Sequence, residues 1–121
     1  MKGDRKNNHG TEWPDSLDAV IAAPDHHNVI FENENIRVLD ACIPPGATVP
    51  LHSHRWPSVV YTLTTNDFLR YDRHGNVVLD SRLADIEIKP GTAISLPPLH
   101  PHSIKNIGDG EIRAISVEIK K

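Results

Sequence analysis

The stretch "PLHSHRWPS", residues 50–58, sets His52 and His54 one residue apart, and "PPLHPHSIKN", residues 97–106, repeats the arrangement with His100 and His102. Side chains two apart on a strand share a face, so each pair can aim two imidazoles into one cavity. A neutral imidazole nitrogen binds first-row transition metals well, and ligands carried by rigid strands need little reorganisation. An HxH alone is equally compatible with two solvent-facing strand histidines, so the surroundings decide. Four of the eight histidines fall in these two clusters. His26 and His27 read as part of a connector and receive no chemistry; His9 and His74 read as surface residues.

The elements that must carry these clusters are short strands. From Val29 onward the chain runs in apolar segments rich in valine, isoleucine and threonine, punctuated by Pro-Pro, Pro-Gly, Asn-Asp and Gly-Asn. The pattern predicts strands near 29–33, 36–43, 49–54, 58–65, 67–71, 76–81, 84–88, 92–97, 102–107 and 111–120. "YDRHGNVV" reads as a hairpin turn in which Gly75 supplies a positive φ. About ten short strands separated by turn signals imply an all-β, antiparallel sandwich or barrel. Residues 1–28 read as an N-terminal tail and short helix, and 29–121 as the β-barrel domain. Pro14 can begin that helix, Asp15 and Asp18 favour its first turn, and Pro24 stops it, so the segment is expected to brace the barrel.

Composition narrows the function classes. The net charge is −3 with both signs interspersed, so no broad cationic surface points to nucleic acid or acidic lipid. A single cysteine, Cys42, excludes an internal disulfide, and no hydrophobic run reaches membrane length. A cytoplasmic protein is expected. Cys42 lies in the apolar-rich "IRVLDACI", where a buried small residue is the commoner outcome. There is no Gly-rich phosphate loop, no GxSxG and no CxxC.

The spacing around the histidines resembles the cupin superfamily. In "GATVPLHSH" a glycine, Gly46, precedes the HxH by five residues; in "GTAISLPPLHPHSIKN" Gly91 is followed at the motif spacing by Pro97, His102 and Asn106. The resemblance implies a cupin-type jelly roll with His52, His54 and His102 as metal ligands. It also implies a homodimer. Two departures stand out. The acidic ligand of the first motif is replaced by Ser58 or Val59, with Thr65 in place of its closing glycine, and the glycine of the second motif is replaced by Leu99.

Without that carboxylate, three neutral imidazoles leave a divalent ion its full formal charge, which favours anionic ligands. In the family resembled, three-histidine sites are associated with iron-dependent dioxygenases. The expectation is therefore a small metal-binding cupin that acts on a small anionic organic molecule, with iron first and manganese, nickel or zinc as alternatives. Ser58 shares the phase of the HxH pair and can hydrogen-bond a metal-bound water; His100 is a candidate fourth ligand or proton carrier if its segment is extended, whereas Pro101 and the preceding "PPL" suggest a turn instead. Arg55 and Trp56 offer either a cation-lined mouth or a loop packed on the barrel, the second being favoured. Tyr61 has the opposite phase and is expected outside the cavity or at a subunit contact. A binding or sensing module without catalysis is the alternative, and an isomerase or epimerase using His100 as base is a third.

Overall fold

The computed structural model describes residues 13–85 and 88–120. His9 and the polar opening stretch lie outside the described residues. Nine strands follow one another as β1 (His27–Glu32), β2 (Ile36–Ile43), β3 (Thr48–His54), β4 (Ser58–Thr64), β5 (Phe68–Asp72), β6 (Val77–Asp80), β7 (Ala93–Leu96), β8 (Leu99–Asn106) and β9 (Ile112–Ile119). They form a five-stranded sheet in the order β1-β2-β9-β4-β7 and a four-stranded sheet in the order β3-β8-β5-β6, with antiparallel pairing throughout. This is the expected jelly roll.

Alternation explains why these segments pair as they do. On β2, Arg37, Leu39 and Ile43 are buried, with Ala41 in the same phase lining the interior, and on β9 Ser116 and Glu118 are buried, whereas side chains of the opposite phase are less buried. Gly46 turns the chain from β2 into β3 at φ 81°, a conformation that side chains with a Cβ rarely adopt, and Gly75 takes φ 86° in the β5–β6 hairpin.

Two sequence expectations are corrected. Residues 84–88 do not make a strand among the described residues, because Asp80 closes a turn there. Its backbone oxygen accepts from Leu83 and Ala84, and its carboxylate accepts from the backbone N–H and guanidinium of Arg82. The N-terminal helix is also not continuous. It is broken into a 3-10 turn at Asp15–Leu17, a four-residue α1 (Ala19–Ala22) and a second 3-10 turn at Pro24–His26. Asp18 sits between the first two pieces with ψ 136°, pairing with Ser53 in an isolated parallel bridge while Arg37 holds its carboxylate. A tertiary ion pair therefore overrides local helix preference at this residue. Ala19 and Ala23 bury completely, which seats the segment on the barrel.

The apolar core is small, centred on Ala23, Ile43 and Val49 with Ala47, Ile104 and Ile112 around it. Much of what is buried is polar: Asp18, His27, Arg37, His52, Ser58, His102 and Glu118. Buried polar groups are costly unless partnered, so their concentration inside one sandwich marks a site.

Candidate metal centre

His52 on β3 lies directly opposite His102 on β8, with ring centroids 4.5 Å apart. The His54 ring is 5.0 Å from His52 and 5.8 Å from His102. A further imidazole joins them. His27 opens β1 in the other sheet, and its ring centroid lies 4.8 Å from His52 and 5.4 Å from His54. One ring nitrogen from each of His27, His52 and His54 falls within 4.8 Å of the others. His27 is therefore not part of a connector. It is the site residue that sequence reasoning overlooked, because its neighbours in the cluster are far away along the chain.

Each ring is oriented by an acceptor at Nδ1. His27 donates to the Ala23 carbonyl at 3.0 Å, His52 to Pro50 at 2.7 Å and His102 to His100 at 2.6 Å. His54 Nδ1 faces Glu118 Oε2 at 3.3 Å. A carbonyl or carboxylate oxygen can only accept, so Nδ1 carries the proton and Nε2 of the neutral ring keeps its lone pair. Burial pushes His27 down to about 4, and it pushes His52 to about 2 and His102 to about 3, with neighbouring histidines adding to the effect. These three rings are neutral at pH 7, the form that binds a metal ion.

Behind His54 runs a buried chain of charges. Glu118 Oε1 accepts from Arg37 Nε at 2.6 Å, and the same guanidinium reaches both oxygens of Asp18 at 2.9 and 3.0 Å. Burial alone would raise both acids. The hydrogen bonds from His54 and Arg37 to Glu118, and from Arg37 to Asp18, outweigh it and hold both carboxylates below their ordinary values. The acid missing from the strand after the HxH is thus accompanied by an acid on β9 that touches a histidine from behind. Such outer partners fix ring orientation and raise ligand basicity.

Other sequence candidates separate cleanly. Ser58 is buried and lines the histidine cavity, of about 140 Å³, together with Val60, Leu96 and Leu99. His100 does not join the cluster: it is exposed, and its ring packs against Trp13 at 5.0 Å. The pairing register explains this. His52 faces His102 and His54 faces Leu99, so β8 spends one extra residue across that interval and the alternation between His100 and His102 is lost. His100 contributes its backbone oxygen instead, as the acceptor that orients His102. Arg55 is tied to Asp15 at 2.8 Å, and Trp56 lies beneath Arg37, Arg55 and Lys120, so this loop packs on the barrel. Tyr61 is 44% exposed on the outer face. Cys42 is half-buried, and its slight desolvation and the nearby Glu111 carboxylate push the thiol up, away from reactivity.

Comparison with known proteins agrees with this architecture. No protein-family model matches the chain. A crystal structure of a cupin domain from Bordetella pertussis superposes with a TM-score of 0.64 at 26% identity, covering 78% of this chain and 92% of that one. A cupin-family protein of Methanocaldococcus jannaschii with a double-stranded β-helix fold gives 0.54 at 13% identity, covering 77% of each chain. An uncharacterized protein of the same archaeon is 27% identical over 89 residues, which span 74% of this chain and 64% of that relative's length. The chain shares the fold of these small cupin structures, and its histidine motifs are similar to cupin motifs in kind. Its clustered histidines could hold a divalent metal ion. Among the described residues no helix is long and apolar enough to cross a membrane.

Proposed function

We propose that this chain is a metal-dependent cupin enzyme that holds a divalent transition metal on His27, His52, His54 and His102 and acts on a small anionic organic molecule. The observation that carries the reading is the shared orientation of the four rings, each with Nδ1 against an oxygen acceptor and Nε2 left as a lone-pair donor. A donor set of neutral nitrogens suits iron, manganese, nickel or zinc. Iron is the first metal to test. Bound there, iron would supply Lewis acidity and dioxygen chemistry, with oxidative cleavage as the reaction class.

The chain's own residues have separate tasks. His52 and His54 present their rings from one strand, while His27 and His102 close the cluster from β1 and β8. Glu118 accepts from His54 and keeps its ring from turning, and Arg37 keeps Glu118 ionised. Ser58 places a hydroxyl in the cavity, where it can hold a water or a substrate oxygen. Val60, Leu96 and Leu99 give the cavity an apolar lining beside the rings. His100, the base an isomerase would need, lies outside the cavity.

Elemental analysis of untagged protein purified from metal-replete medium tests the proposal. Near-stoichiometric iron, with oxygen uptake on adding thiols, diketones or hydroxy acids, is the expected result. Absence of any transition metal overturns it.

The proposal extends to a homodimer. Val59, Tyr61 and Leu63 form an apolar row on the outer face of β4, beside Ile115 and Val117 of β9. An exposed apolar row of this kind fits a subunit contact.

A further inference from the structure

Two cations reach the interior of the sandwich from facing sheets, and they differ in one respect. Arg37 is saturated by Asp18 and Glu118. Arg70, on β5, has no hydrogen-bond or ion-pair partner among the described residues, and its Nε is buried without any acceptor. It is half-buried among apolar side chains, paired in register with Ile104 on one side and Leu79 on the other. Burial lowers its pKa, yet a guanidinium stays protonated at neutral pH. A desolvated positive charge with no counter-charge is unfavourable, and proteins keep such groups where a ligand completes them.

Its position indicates which ligand. Arg70 lines the histidine cavity and also a second, larger chamber of about 530 Å³ that runs on from it. That chamber is walled mainly by hydrocarbon, including Phe68, Leu79, Ile88, Ile94 and Ile112. On the histidine side, the Arg70 charge is felt at His102. One end of the combined space therefore offers neutral imidazoles, the other an apolar wall, and an unpaired planar cation stands at the junction. Polar groups that fix orientation inside a mainly apolar cavity are the usual construction of a small-molecule site.

We propose that Arg70 is the carboxylate anchor of this site and that its ligand is an amphiphilic monocarboxylic acid, its hydrocarbon body in the apolar chamber and its carboxylate at the junction. The carboxylate then stands between the hydrocarbon body and the histidines. The fork of the guanidinium matches a carboxylate through two parallel hydrogen bonds, which a lysine could not reproduce. This rests on reading the histidine cavity as a substrate site, and it narrows the substrate from an anion in general to an acid with an apolar body.

Octanoate, octanamide and acetate, titrated calorimetrically into the full chain, test the anchor. Both metal-loaded and metal-stripped protein are used, so that direct carboxylate ligation by an ion is separated from binding at Arg70. Octanoate is expected to bind at least about tenfold tighter than octanamide, which lacks the charge, and than acetate, which lacks the body. That preference persists without metal. Arg70→Gln and Arg70→Met abolish it while leaving octanamide affinity unchanged, and Arg70→Lys retains only part of it. Equal affinity for octanoate and octanamide in the wild-type protein overturns the proposal whatever the variants do, as does a preference that survives Arg70→Gln in metal-stripped protein. Metal content is measured on the same samples. Protein that holds metal but lacks the Arg70-dependent preference defeats this inference alone, whereas the preference without metal uptake defeats the metal reading and leaves the anchor standing.

Discussion

Glu118 divides its two carboxylate oxygens between functions: Oε1 takes the Nε hydrogen of Arg37 at 2.6 Å, and Oε2 faces Nδ1 of His54 at 3.3 Å. One fully buried acid thereby connects the ion pair that pins the N-terminal segment to a ring of the candidate metal centre. Disturbing either end is expected to be felt at the other.

Replacing Arg37 by alanine leaves Asp18 and Glu118 as uncompensated buried acids. Removing one partner of a buried ionic set costs about 3–5 kcal/mol, so Arg37→Ala should lower stability by that order in urea unfolding. A variant as stable as wild type would show that water already satisfies these carboxylates.

Metal content should follow the geometry of the rings. His52→Ala is expected to abolish stoichiometric binding while the strands stay folded, because the core is built from apolar side chains rather than from an ion. His27→Ala and His102→Ala should each weaken binding by at least about tenfold, and His100→Ala should leave it unchanged, in competition with a chelator of known affinity. Equal loss in His27→Ala and His100→Ala would remove His27 from the site.

The stability of metal-free protein should depend on pH with a definite sign. His27, His52 and His102 are held to about 4, 2 and 3, below the ordinary 6.5, so over that interval the unfolded chain binds more protons than the folded one. Their contribution is fully present above about 6.5 and is lost as pH falls toward the folded values, at about 1.4 kcal/mol per group for each pH unit. Unfolding midpoints measured from pH 7.5 to 5 should therefore decline, and a flat profile would contradict the burial of these rings.

Asn106 matches a motif position, and the structure gives it a scaffolding role. Its amide donates to the carbonyls of Ile43 and Gly110 at 2.9 Å each, and its Oδ1 accepts from Gly108 N–H at 2.9 Å. Asn106→Ala should cost about 3 kcal/mol, because it strands buried backbone groups, without changing metal stoichiometry in the variant that still folds.

Tyr61→Asp puts a charge in the middle of the outer apolar row. Analytical ultracentrifugation should show a dimer for the wild type and a monomer for the variant. A monomeric wild type would end the dimer reading.

Much of this architecture was legible from residue order. The run "IRVLDACI" forms β2 over the predicted 36–43, and "HSH" lies on a strand next to His102, because local alternation and glycine placement are properties of short segments. Three things were not legible. Arg37 and Glu118 stand 81 positions apart, so nothing local announces that they pair, although a charge in the inward phase of an otherwise apolar strand was a usable signal. Arg70 carries the same signal in "FLRYD". His27 was hidden because its role depends on how two sheets face each other. For His100 the sequence was more informative: Pro101 and the preceding "PPL" argue against regular alternation, and the extra residue in β8 turns its ring away from the cluster.

Among the described residues β1 is an edge strand, with β2 as its sole partner in the sheet. Edge strands are ordinarily the first to fray, yet this one begins with an imidazole that reaches across to rings of the opposite sheet. Occupancy by an ion would therefore staple the two sheets together at this margin. Amide hydrogens near the start of β1 would exchange slowly in loaded protein and quickly once the ion is stripped, which makes their exchange rate a local gauge of ligation.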